Sequence, residues 1–273
     1  MPNVAGMTEH FPDLEVVLPN EQPHVEPARI AELARRAEEL GYRAAWLPDH
    51  LIPPGPFGEV FGGVHEPLVT LAHLAAVTSR IRLGTAVVIL PLREPFALAK
   101  QAATLARLSG NRFDLGVGAG WNEPEFAEVG VDFATRGKRT DEALDLLAGL
   151  FRTGRGPGGG YFEPRPDRPV PLTVGGNSAA ALRRAVRVGA GWFSAGLSPA
   201  EVGERAGKLT AMTNGRETRV TARMDWDGTD LDSATARFRA YILAGADAVA
   251  VHFGPAETFE QRMTTFAEAV AGP

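Results

Sequence analysis

Short apolar runs recur along the chain, and each is followed by a longer stretch in which apolar residues return at helical spacing. The first run is Leu14–Leu18, closed by Pro19-Asn20. Pro27 then opens a helix, a position where its missing N–H does no harm, with Ile30, Leu33, Ala34, Ala37 and Leu40 on one face and Gly41 as the stop. Arg43–Leu47 is the second strand, ending in Pro48-Asp49-His50, and a proline- and glycine-rich loop covers 51–65. A helix over Pro67–Ser79 precedes a strand near Ile81–Ile89, a proline-started helix from Pro95 and a fourth strand at Arg112–Val117. The unit from Arg80 to Trp121 is therefore strand, helix, strand, the repeating element of a parallel α/β protein.

After Trp121 the period breaks. Residues 121–170 hold one clear helix, Gly137–Arg152, a glycine-rich tether at Gly154–Gly160 and a proline-rich approach, and they read as an insertion packed over the mouth of the fold. With too little apolar material for a core of its own, this region belongs to a single domain spanning 1–273. The period resumes with strands at Pro171–Val174, Gly191–Ala195, Arg219–Met224 and Ala248–Phe253, each followed by a helix, the last ending near Val270. Eight strands alternating with eight helical segments at this length favour a closed (β/α)₈ TIM barrel with an insertion between strands 4 and 5.

Composition narrows the function classes. Of 273 residues, 44% are hydrophobic, enough for a sizeable core, and the net charge of −5 is spread without a basic stripe, so nucleic acid is not an expected partner. The absence of cysteine removes disulfides, thiolate metal ligands and a cysteine nucleophile together. No apolar stretch approaches the ~20 residues that span a bilayer, and no cationic start precedes an apolar run; a cytoplasmic protein with no membrane partner is the expectation. There is no G-x-S-x-G, no P-loop, and no dinucleotide fingerprint, because Gly116-Val117-Gly118-Ala119-Gly120 lacks the spacing. His10, His24, His65 and His73 have no partners at metal-ligand spacing, so no metal is expected.

In a barrel, chemistry sits in the loops after the strands. Asp49-His50 is an acid–base pair at such a position: His50 could act as general acid or base tuned by Asp49, or the two could merely cap and hydrogen-bond a turn. Gly175-Gly176-Asn177-Ser178 opens a helix, which suits either a phosphate at the helix start or an ordinary serine cap. Trp121 could stack on a flat ring or pack the insertion. His252 reads as a satisfied core histidine, and Arg139 and Glu142, three apart, as a structural pair.

The ordered motifs AEELGYRAAWLPDH (37–50), TSRIRLGTAVVILPLREP (78–95), AKQAATLARLSGNRFDLGVGAGWNEPEF (99–126), FATRGKRTDEAL (133–144) and PLTVGGNSAAALRRA (171–185) resemble the luciferase-like monooxygenase superfamily. The resemblance is closer to the branch that uses 8-hydroxy-5-deazaflavin, coenzyme F420, and covers roughly Leu14 to Val270. It implies an F420-dependent oxidoreductase moving hydride between the cofactor and a small organic substrate; the alternatives are an FMN-dependent monooxygenase and a flavin-binding protein without turnover. It also implies a non-proline cis peptide at Ala86–Val87 behind the cofactor ring, His50 as acid or base, and Asp49 orienting it or meeting the ring's polar edge. Gly118, Ala119 and Gly120 would line the cofactor pocket, Gly175, Gly176 and Ser178 would hold the phosphate, and a homodimer is expected. Trp121 and Leu90 would face the substrate, with Phe57, Phe61 and Trp226 as further apolar candidates at the mouth. Related deazaflavin enzymes often carry an acid where Trp121 stands, so a sugar-phosphate-dehydrogenase-like activity is not expected. Ala106, Asn111 and Ala190 also depart from the family pattern, at the starts of strands.

Overall fold

A computed structural model describes residues 14–22, 25–53, 64–214 and 216–271. Nine strand segments form one parallel sheet: β1 Leu14–Val17, β2 Ala44–Leu47, β3 Arg82–Thr85, β4 Val88–Ile89, β5 Phe113–Gly118, β6 Leu172–Gly175, β7 Gly191–Ser194, β8 Val220–Asp225 and β9 Ala248–His252. Their order is β3-β2-β1-β9-β8-β7-β6-β5-β4, and a further β3–β5 pairing closes the ring. Both β3 and β4 pair with β5, at Leu83↔Phe113 and Val88↔Val117, so they are two halves of one barrel strand. The third strand, read from the sequence as continuous, is interrupted at Ala86–Val87, whose peptide is cis. The result is an eight-stranded (β/α)₈ barrel.

The helices are α1 Pro27–Glu39, α2 Pro67–Val77, α3 Pro95–Leu108, the short α4 Glu123–Glu128, α5 Arg136–Thr153, α6 Ala179–Val188, α7 Pro199–Met212, α8 Leu231–Leu243 and α9 Ala256–Ala271. Their starts are written locally. Glu94 accepts from the Phe96 and Ala97 amides beside Pro95, and Ser198 and Glu201 form a reciprocal capping box beside Pro199.

Strand alternation separates two cores. Leu14, Val16, Ala45 and Leu47 face the helices and join Ile30, Leu33 and Leu71 in the main core. Val17, Ala44, Trp46, Phe193 and Ala250 pack together as a separate cluster within the barrel. Trp46 requires a glycine beside it: a Cβ on Gly84 would lie 2.3 Å from the indole ring. Below Trp46 the interior is polar. Its Nε1 donates to Glu15 Oε2 at 2.7 Å, Arg219 pairs with Glu15 Oε1 at 2.5 Å, and Arg82 holds Asp114 through two bonds of 2.6 and 2.7 Å. These charged residues line a cavity of about 400 Å³ at the N-terminal end of the barrel.

Three readings of the 121–170 region change. Helix α5 does not lie over the mouth; it packs between α3 and α6 and takes the ring position that follows β5. At the mouth stand the 3₁₀ turn Phe133–Thr135 and the first residues of α5, Arg136 and Gly137. Gly154–Gly160 is not an open tether. It folds back on itself, with an antiparallel bridge between Arg155 and Tyr161 and a Gly156 N–H bond to the Gly160 carbonyl. Nor do Arg139 and Glu142 pair: Lys138 approaches Glu142 at 3.7 Å, and Arg139 Nε donates to the Pro91 carbonyl.

Candidate active site

A cavity of about 860 Å³ opens at the C-terminal ends of the strands. Its floor is the break in the third strand. Ala86 and Val87 face the cavity, with Gly118 and Gly175 on the neighbouring strands. Those glycines are sterically required: a Cβ on Gly118 would meet Val87 Cγ2 at 2.6 Å, and one on Gly175 would meet Val87 Cγ1 at 2.7 Å. Gly116, one step deeper, would drive a Cβ to 1.8 Å from the Thr85 carbonyl oxygen. The space that side chains would take at Gly118 and Gly175 is occupied by the Val87 methyls.

Ala119 and Gly120 continue the wall, and Gly120 turns the chain at φ 77°, where a side chain is disfavoured and would strike the Phe126 ring. The turn carries the chain into α4, which brings Glu125 back toward the end of β2. Glu125 is fully buried. Its Oε2 lies 2.9 Å from His50 Nδ1, and its Oε1 accepts from the Leu51 and Ile52 amides at 2.6 and 3.2 Å. Burial alone would raise its pKa, but the His50 bond and the two amides outweigh it and hold the carboxyl below its ordinary value. An ionised Glu125 can only accept, so His50 donates through Nδ1 and its basic nitrogen is Nε2. Trp121, largely exposed, meets the imidazole edge to face at 5.9 Å between centroids.

Asp49 does something other than orient His50. Its Oδ2 accepts from the Ile89 amide at 2.9 Å, and its Oδ1 meets Arg93 Nη2 at 2.5 Å. Arg93 also reaches Glu66 at 2.9 Å. Burial pushes the Asp49 carboxyl upward against the pull of Arg93. This clamp ties the end of β2 to the strand just past the Ala86–Val87 peptide, and Asp49 positions the cavity floor.

On the far side, β6 ends in Gly175 and Gly176, the latter at φ 115°, and Ser178 caps α6 by accepting from the Ala181 amide at 3.2 Å. The serine cap is formed, and the start of α6 that it caps lines the cavity. Arg136 and Arg184 line the same end, Arg136 stacked 3.7 Å above the Phe133 ring and Arg184 held by Asp141.

Two apolar candidates do not reach the mouth. Leu90 is fully buried in the main core, in the 3₁₀ turn Leu90–Leu92, and Trp226 packs on Phe253 and Phe266 in that same core. Phe57 and Phe61 lie outside the described residues. His252 is not fully satisfied. Its Nδ1 accepts from the Gly254 amide at 3.3 Å, while buried Nε2 has no hydrogen-bond partner among the described residues. Burial, then Arg223, lowers its pKa to about 4, so it is neutral. No group of three or more potential metal ligands occurs among the described residues. Among these residues, no helix is long and apolar enough to cross a membrane.

The sequence reading missed Glu125, Arg93 and Glu21, the last a buried residue of the cavity wall. Glu125 carried one usable signal, its place just before buried Phe126 on the helix that follows the glycine corner. Glu21 and Arg93 carried none, since each is a charged residue in a loop until the barrel brings strand ends together.

Residues 13–269 match the sequence family described as luciferase-like monooxygenase. The chain belongs to this family. It is 39% identical over 198 residues to an uncharacterised protein of Mycobacterium tuberculosis, a match covering 62% of this chain and 66% of that one. It is 35% identical over 192 residues to 4-hydroxyprotoasukamycin monooxygenase of Streptomyces nodosus (66% and 50% covered). It is also 35% identical over 179 residues to the F420-dependent glucose-6-phosphate dehydrogenase of Kineococcus radiotolerans (61% and 52%). The matched region thus spans between half and two thirds of these relatives. An F420-dependent secondary alcohol dehydrogenase shares the fold, with a TM-score of 0.81 at 15% identity over 95% of this chain and 99% of that one. The luciferase-like family comprises oxidoreductases and monooxygenases with small-molecule substrates, and this chain carries its fold, with a hydrogen-bonded His50–Glu125 pair at the barrel mouth.

Proposed function

We propose that this luciferase-like protein is an oxidoreductase that uses coenzyme F420 to move hydride to or from a small organic substrate. The observation that carries the reading is the His50–Glu125 pair set beside the glycine-flanked Val87 floor. When bound, a deazaflavin supplies hydride chemistry. The residues fit such a group: Ala86 and Val87 support a flat ring, Gly118 and Gly175 leave its approach clear, and Gly176 with Ser178 offers the start of α6 to a phosphate. The two arginines at that end complement a negative tail.

His50 holds or moves the proton that accompanies hydride transfer. With Nδ1 committed to Glu125, proton exchange runs through Nε2, and Glu125 stabilises the imidazolium whenever His50 is charged. Trp121 covers the imidazole and narrows the entrance. A protein that only binds flavin is the third reading; there Glu125 would serve to hold the loop after β2 through the Leu51 and Ile52 amides and to fix the His50 ring.

FMN is the second reading, favoured by the identity to a monooxygenase, which equals that to the F420-dependent enzyme. Titrating the purified protein with coenzyme F420 and, separately, FMN, following fluorescence quenching, decides between them. Saturable F420 binding is expected; tight FMN binding without F420 binding would sink the proposal. Turnover across alcohols, enones and imines should then disappear in His50→Ala. F420 binding with no turnover on any of them, the same in wild type and His50→Ala, would favour a protein that only binds.

A further inference from the structure

Glu21 lies in the turn after β1, at the C-terminal end of the barrel. Only 4% of it is exposed, and it lines the same cavity as His50 and Val87. Its Oε1 is buried without a hydrogen-bond partner among the described residues. The nearest cation is Arg223, whose Nη2 is 3.8 Å from Oε1, beyond hydrogen-bond reach. Arg223 spends its own donors on Asp225 Oδ1, at 3.2 and 3.3 Å.

A buried acceptor without a donor is costly, and natural proteins rarely leave one so. Arg223 and Glu21 are an ion pair without a hydrogen bond, whereas Arg93 on Asp49 and Arg219 on Glu15 close to 2.5 Å. The carboxyl stands at the cavity wall with one oxygen lacking a hydrogen-bond donor among the described residues. The charged groups acting on it are Arg223, His50 and Asp225, and burial keeps its pKa raised. A carboxylate ligand would meet a like group in a site with little solvent, whereas a hydroxyl or amine would supply the missing donor.

We propose that Glu21 is a specificity-determining residue that takes the hydroxyl or amine of the substrate, so that the cavity selects neutral or cationic donors over carboxylic acids. This rests on the proposed oxidoreductase reading of the cavity. It adds the chemical class of the substrate and a contact in the same cavity as His50.

The test uses cyclohexanol, cyclohexylamine and cyclohexanecarboxylate as probes of one size, with binding followed by ligand-observed NMR on the cofactor-free full-length chain. Parallel F420 and FMN titrations run on each variant. Wild type should bind the alcohol and amine at least tenfold more tightly than the acid. Glu21→Leu should lose tenfold or more on both donors, and Glu21→Gln, which keeps an acceptor but no charge, should lose about tenfold on the amine and under threefold on the alcohol. The Glu21→Gln result decides the matter if Glu21→Leu does not fold. Equal binding of all three probes by wild type, or unchanged binding in both variants, overturns the assignment. Failure of both the F420 and the FMN titrations with probe selectivity intact removes the oxidoreductase reading and leaves the Glu21 contact standing; normal cofactor binding with no probe selectivity does the reverse.

Discussion

Replacing Glu125 by Gln tests the central pair without changing its shape. The amide can still accept from Leu51 and Ile52 through oxygen, but its NH₂ then faces His50 Nδ1. Two donors cannot share that contact, so the imidazole must carry its proton on Nε2 and present a lone pair at Nδ1. The stability change follows from three contacts, at 2.9, 2.6 and 3.2 Å, made by a fully buried side chain. A charged hydrogen bond exceeds a neutral one by about 1 kcal/mol, and discounting the long contact leaves a loss of about 2 kcal/mol. In a chain of this length that lowers Tm by roughly 4–8 °C.

The loss should depend on pH in one direction. The folded pKa of Glu125 is depressed, so its contribution is complete above the unfolded value of 4.5 and fades as pH falls through the lower folded value. Wild type and Glu125→Gln should therefore differ fully near neutrality and converge below about pH 4.5. Calorimetry reads the Tm difference, and ¹⁵N imidazole shifts read the tautomer. Turnover should fall by about 10²–10⁴, the range of a displaced acid–base group. A wild-type His50 protonated on Nε2, or a variant with unchanged tautomer and Tm, would refute the argument.

Other changes separate positioning from packing. Arg93→Met should strand the buried Asp49 carboxylate and destabilise by about 3–5 kcal/mol, read as a shift in the urea midpoint, with Asp49→Asn in the same chain recovering much of it. Gly118→Ala should cost about 1–3 kcal/mol because its methyl meets Val87, and Val87→Ala should partly restore both stability and F420 binding, as a double-mutant cycle would show. Trp121→Ala, at an exposed site, should change stability by no more than about 0.5 kcal/mol while altering KM, whereas Leu90→Ala in the core should cost about 2–5 kcal/mol.

The chain's own pattern determined the barrel. Apolar strands such as Ala44–Leu47, buried on both faces, alternate with proline-started, capped helices, and that information is local: side-chain period, caps and turn residues lie within a few positions of one another. His50 and the glycine corners were legible for the same reason, because the position after a strand is a sequence position. Which carboxylate serves His50 was not. Asp49 is its neighbour in sequence, yet successive residues diverge, and Asp49 points to Ile89 and Arg93 while Glu125, 75 residues on, closes on the imidazole. Likewise Leu90 and Trp226 look like mouth residues by place in the chain and are core residues by direction. Burial and partnership depend on how strand ends from β1, β2, β5 and β8 meet across the barrel, and only closure of the sheet sets those distances.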